Sequence, residues 1–122
     1  MDTKQRGNYA ENEACKFLIR KGYKILERNF CFGHQEIDII ALDDKETLAF
    51  IEVRSRKKGL CSPEESIGWR KKKNIIRVAQ FYLKVKNLND FSCRFDVVII
   101  LYKNDSVDIE KIELIKDAFQ VE

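Results

Sequence analysis

With 122 residues, 44% of them hydrophobic and 35% charged, the chain matches one ordinary domain, residues 1–122, and is far from the low-hydrophobicity, high-charge composition that stays unfolded. No apolar run approaches the roughly 18 residues that span a bilayer, and the polar start Met1-Asp2-Thr3-Lys4 has no signal-peptide core, so a cytoplasmic protein with no membrane partner is expected. The net charge of +3 is too small to argue for a polyanionic partner, but Arg54 to Lys73 holds eight basic and two acidic residues, leaving the rest of the chain at −3.

From Gly7 to Lys21, Ala10, Ala14, Phe17 and Leu18 follow the spacing of an amphipathic helix, and Gly22 sits where a left-handed cap would end it. Tyr23 to Phe30 reads as a first strand, followed by a turn at Gly33. Glu36 to Ala41 and Leu48 to Arg54 are β-rich runs separated by the polar segment Asp43-Asp44-Lys45-Glu46, which predicts a hairpin. After a basic loop, Ser62-Pro63-Glu64-Glu65 carries a capping-box pattern with proline at the first helical position. Gly68 interrupts that turn, and Ile75, Ala79, Tyr82 and Leu83 mark the buried stripe of a second long helix reaching about Lys86. Arg94 to Leu101 is apolar enough to be a central strand covered on both faces, and Val107 to Ile115 alternates as an outer strand does. The order is α-β-β-β-α-β-β, a mixed sheet flanked by two helices.

The four cysteines, Cys15, Cys31, Cys61 and Cys93, are scattered, with no C-x-x-C pair and one histidine, His34. Reduced, mostly packed thiols are expected rather than a zinc site or a disulfide framework. His34, in a turn, reads as a surface residue.

Side chains alternate along a strand, so Asp38 shares a face with Glu36, while Glu52 shares one with Arg54 and Arg56. If the hairpin pairs Leu42 with Leu48, Asp38 falls opposite Glu52 and Glu36 faces Arg54. Two carboxylates held together in a partly buried sheet repel unless a cation lies between them. Carboxylate oxygens suit Mg²⁺ or Mn²⁺, which can polarise a phosphoryl oxygen and lower the pKa of a bound water. The structural alternative is an exposed acidic edge on an ordinary hairpin.

Gln35-Glu36-Ile37-Asp38-Ile39-Ile40-Ala41, Phe50-Ile51-Glu52-Val53-Arg54-Ser55-Arg56 and Arg94-Phe95-Asp96-Val97-Val98 resemble the YraN family of bacterial proteins, from Gly7 nearly to the C-terminus. That family is similar to the PD-(D/E)-x-K nucleases, especially the archaeal Holliday-junction resolvases, with Asp on one strand and Glu-x-Lys on the next. The resemblance implies a restriction-endonuclease-like α/β fold, Asp38 and Glu52 as metal ligands, and Glu11 as the helix-one glutamate that completes such sites. It points to DNA, branched DNA included, as substrate, and to a homodimer. Arg54 stands where the pattern has lysine, and Gln35 where it has glycine. Arginine stays protonated at any working pH, so Arg54 can stabilise charge or orient water but cannot act as a general base. The competing reading is a non-catalytic nucleic-acid-binding module or adaptor that keeps the fold, and the arginine favours it. A purely structural interaction domain is a third.

Arg70-Lys71-Lys72-Lys73 begins the second long helix, where cations oppose the macrodipole. Stability does not explain the run. Helix amides and lysines suit phosphate, and Lys71 matches a lysine of the family pattern, so these residues with Arg56, Lys57 and Lys58 are expected to bind nucleic acid. A solvated face is the plainer alternative. Trp69 is expected to pack beneath its helix, with base stacking as the other reading. Asp96 reads as an internal hydrogen-bonding or ion-pairing residue.

Overall fold

The computed structural model describes residues 2–57, 67–103 and 106–120, with the Lys57 side chain excepted. Helix α1 spans Thr3–Arg20, four residues earlier than its apolar stripe suggests. The reason is a capping box: the Asp2 side chain accepts from the Gln5 N–H at 2.8 Å, and the Gln5 side chain accepts from the Asp2 N–H at 2.9 Å. Gly22, at φ +95°, follows the C-cap residue Lys21, a conformation open to glycine for want of a Cβ.

Strands β1 (Lys24–Phe32), β2 (Gln35–Leu42) and β3 (Thr47–Lys57) follow, then helix α2 (Trp69–Val85), β4 (Ser92–Tyr102) and β5 (Ile109–Phe119). The element order is the expected one. The five strands form a single mixed sheet in the order β1-β2-β3-β4-β5. All neighbours are antiparallel except β3 and β4, which are parallel because α2 lies between them in the chain. The Ser62 to Glu65 capping pattern lies outside the described residues.

Alternation along the central strands sends side chains to two helices on opposite faces. Ile39, Ala41, Ala49, Ile51, Val98 and Ile100 pack with Ala10, Ala14 and Leu18 of α1. Ile40, Leu48, Phe50 and Phe95 pack with Ile75, Val78, Ala79 and Tyr82 of α2. Each fully buried aliphatic or aromatic side chain contributes about 1.5–3 kcal/mol of transfer free energy. Among the described residues no helix is long and apolar enough to cross a membrane.

The buried acid of β4 anchors one end of this sheet. Asp96 is fully buried and accepts from Arg94 Nε at 2.8 Å, Arg94 Nη2 at 2.9 Å and the Asp117 N–H at 2.9 Å. Tyr23 Oη donates to it at 3.4 Å. The β4–β5 register shifts between Phe95 and Val97, and Asp117 sits at φ +55°. A bulge there frees the Asp117 amide from the ladder for the carboxylate. Asp96 is the ion-paired internal residue its sequence position implied, and Arg94 is its partner.

Two expectations are corrected. Cys15 is buried, but Cys31 and Cys93 are exposed, because both lie at strand ends outside the helix-covered centre of the sheet. Trp69 is 69% exposed, because it is the first residue of α2 and precedes the stripe that begins at Ile75. His34 is exposed, as its turn position suggested.

Candidate metal centre

The β2–β3 ladder has the predicted register, from Leu42↔Leu48 to Ile39↔Ile51, and stops one pair short of Asp38 and Glu52. Beyond that point a side chain replaces the ladder: Asp38 Oδ2 accepts the Val53 N–H at 2.8 Å. The face alternation of β2 also breaks here, since Ile39 packs with the α1 cluster and Ile37 with the α2 cluster. Asp38 therefore occupies the point where β2 parts from β3. Glu36 is not opposite Arg54 as a continued ladder would place it; it pairs with Cys31 of β1.

Glu52 is 6% exposed, and no donor among the described residues reaches its Oε2. Asp38 and Glu52 act directly on each other's carboxyl groups. Burial raises the Asp38 carboxyl well above its ordinary range and the charge of Glu52 adds to the rise, while the Val53 amide opposes it. Burial also raises Glu52, against the positive charges of Lys71 and, to a smaller extent, Arg54. Two adjacent carboxyls with raised pKa values are a site short of positive charge.

A second pair of acids meets Asp38 from the side of α1. One oxygen each of Glu11, Glu36 and Asp38 lies within 4.8 Å of the others. Asn29 Nδ2 bridges two of them, donating to Glu11 Oε1 at 2.7 Å and to Glu36 Oε1 at 3.1 Å. Asn29 has φ +52°, a left-handed conformation that asparagine tolerates better than most residues, and this kink in β1 aims its amide at the acids. Burial raises the Glu11 carboxyl, the Asn29 hydrogen bond opposes that rise, and the charges of Asp38 and Glu36 add to it. Asp38 is thus common to two groups, the trio with Glu11 and Glu36 and the pair with Glu52.

This donor set fits a hard divalent cation. The trio and Glu52 all offer oxygen, Asp38 is oriented by a backbone amide, and no donor among the described residues reaches the buried Glu52 Oε2. The structure brings Glu11 and Asp38, both named from the sequence, together with Glu36, which with Asn29 was not named there as part of a site. An asparagine inside a β-rich run, four residues before a turn glycine, was the available signal for the kink.

The basic residues divide. Lys71 Nζ lies 3.6 Å from Glu52 Oε1, whereas Lys72 lies over the Phe119 ring at 5.6 Å and Lys73 over the Trp69 ring at 5.4 Å. Arg70 is exposed, and Arg56 Nη1 donates to the Ser55 carbonyl at 2.8 Å. The Lys57 side chain and Lys58 lie outside the described residues. Gly68 is the N-cap of α2, with no side-chain cap bond, and the first turn holds no acidic residue, so the helix start is positive and Lys71 carries a charge from it to Glu52.

Comparison with known proteins identifies relatives along nearly the whole chain. Residues 10–100 match the uncharacterised protein family UPF0102. A UPF0102 protein of Clostridium tetani is 46% identical over 119 residues, covering 97% of this chain and 96% of the relative. One from Caldicellulosiruptor bescii is 44% identical over 123 residues, covering 98% and 100%, and one from Lawsonia intracellularis 40% identical over 116 residues, covering 94% and 87%.

Proposed function

The chain belongs to the uncharacterised protein family UPF0102, and we propose that it is a metal-dependent endonuclease acting on DNA, branched DNA included. The observation that carries this reading is the pair of half-buried Asp38 and buried Glu52, whose Oε2 meets no donor among the described residues, beside the basic start of α2. Asp38 and Glu52, with Glu11 and Glu36 alongside, would hold Mg²⁺ or Mn²⁺. When bound, such an ion supplies Lewis-acid stabilisation of phosphoryl oxygens and a more acidic water.

The protein's own residues supply the rest. The Val53 amide holds Asp38 in one orientation, and Asn29 holds Glu11 and Glu36. The first amides of α2 and the exposed Arg70 bind the phosphate backbone, which sets affinity without reading bases. Arg54, two residues beyond Glu52 on β3, contributes positive charge for the excess negative charge of a phosphoryl transition state.

The test is cleavage of duplex, single-stranded and four-way-junction DNA with Mg²⁺, Mn²⁺ or EDTA. Metal-dependent cutting by the natural protein that disappears in Glu52→Gln is the expected result; metal-independent cutting, or cutting retained by Glu52→Gln, overturns it. The second reading is a non-catalytic DNA-binding module, which Arg54 in the place of lysine favours. Binding without cutting on all three substrates decides for it.

A further inference from the structure

Two cations among the described residues reach the acids of this centre from other elements: Arg28 of β1, whose Nη2 lies 3.9 Å from Glu11 Oε1, and Lys71 of α2, beside Glu52. Lys71 is the third residue of α2, and its Nζ reaches to 3.6 Å from Glu52 Oε1. That distance makes it an electrostatic neighbour rather than a hydrogen-bond donor. The lysine side chain is 43% exposed and that of Glu52 6%, so the ammonium is the outward, movable member of the pair. A buried ion pair kept for stability needs its remaining oxygen satisfied, and no donor among the described residues reaches Glu52 Oε2. A cation in the first turn of α2 also opposes the helix dipole, so helix stability does not account for it.

We propose that Lys71 is an exchangeable cation of the metal centre. Without a divalent ion it neutralises Glu52; with an ion and a phosphodiester in place it gives up that carboxylate and turns its ammonium to the phosphoryl oxygens. The inference rests on the metal-dependent reading above and moves the principal cationic role from Arg54 to Lys71. The two side chains differ in kind. A lysine swings a compact charge on a four-carbon stem and can exchange its proton, whereas an arginine keeps its charge and presents a rigid planar fork.

An ammonium that competes with the ion has a signature in which two measurements move in opposite directions. The full chain and its Lys71→Gln, Lys71→Arg and Arg54→Gln variants would be titrated with Mn²⁺ by calorimetry and assayed for single-turnover cleavage of the DNA substrate found for the natural protein. Lys71→Gln is expected to bind Mn²⁺ roughly 5-fold or more tightly, because the competing charge is gone, and to cleave ~10²-fold more slowly. Lys71→Arg should restore part of the cleavage, and Arg54→Gln should move both quantities less than Lys71→Gln does. Unchanged or weaker Mn²⁺ binding by a folded Lys71→Gln protein overturns the proposal, as does cleavage within about twofold of the natural rate. If the natural protein cuts no DNA with any metal, the nuclease reading fails, and the Mn²⁺ titration decides alone. Tightening then supports the exchange of Lys71 with the ion, and no change overturns it.

Discussion

The Asp38 carboxylate accepts the Val53 N–H at 2.8 Å, joining β2 to β3 by a side chain just past the last backbone pair, Ile39↔Ile51. This bond orients Asp38 beside Glu52, where burial and the neighbouring charge raise its pKa. The sign of the resulting pH dependence follows. A carboxyl bound more tightly to its proton in the folded state contributes stability that is present below its unfolded value of 3.8 and is lost as pH rises toward the folded value. In EDTA, Asp38→Asn should therefore gain on the natural protein between about pH 5 and about pH 8, by on the order of 1–2 kcal/mol. Denaturant melts at the two pH values measure it, and a difference that does not change with pH contradicts the burial of a charged Asp38. Adding Mn²⁺ at the higher pH should stabilise the natural protein and leave Asp38→Asn nearly unmoved.

Glu36 lies with Glu11 and Asp38 although the strand register alone would have sent it toward Arg54. If it belongs to the centre, Glu36→Gln should weaken Mn²⁺ binding by roughly 10-fold, and Glu52→Gln by at least as much. Calorimetry with each variant separates the ligands from bystanders. Equal affinity for the natural protein and Glu36→Gln would remove Glu36 from the set.

Trp69 is the chain's one tryptophan, and it is 69% exposed with Lys73 over its ring at 5.4 Å. Its emission in the free protein should resemble that of tryptophan in water. If the start of α2 receives nucleic acid, single-stranded DNA should quench that emission through base stacking, and Trp69→Ala should lose about 1–3 kcal/mol of binding. DNA binding with no change in emission would place the strand elsewhere.

Arg70 and Lys73 are the exposed basic residues of this helix start, while Lys71 is turned to Glu52. Replacing both with alanine should weaken binding across sequences alike and reduce the log-log salt slope by roughly two units. An unchanged slope in a filter-binding titration would mean that these charges form only a solvated face.

Asp96 should matter for folding rather than chemistry. Its replacement by alanine leaves the Arg94 guanidinium and the Asp117 amide without their buried acceptor, although Arg94 keeps Asp43 at 2.8 Å. A loss of about 3–5 kcal/mol is expected on chemical denaturation. Tyr23→Phe, which removes a 3.4 Å bond from the same carboxylate, should cost about 1 kcal/mol.

Much of this arrangement was written locally. Period-two apolar runs defined the strands, and only one hairpin register buries Leu48 and Phe50 with Ile40 on the α2 face while Ala41 meets Ala49 on the other. Continued by one pair, that register points to Asp38 and Glu52 as neighbours, although it is the Asp38–Val53 bond and not the ladder that joins the strands there. The α1 start was legible too, in Asp2 and Gln5, but the apolar stripe begins later and drew the boundary inward.

Tertiary structure decided the rest, because side chains distant in sequence meet only through the placement of whole elements. Lys71 reaches Glu52 from α2, and nothing in the spacing between residues 52 and 71 specifies how α2 lies over β3. The kink at Asn29 and the end of the β2–β3 ladder brought Glu36 to Glu11, where strict alternation would have kept them apart. Trp69 stayed in solvent because α2 begins its buried stripe a turn and a half later. The sequence by itself determined which strands exist and which acids share the β2–β3 junction, through periodicity and burial; the helices' seating on the sheet determined which cations and which further acids reach that junction.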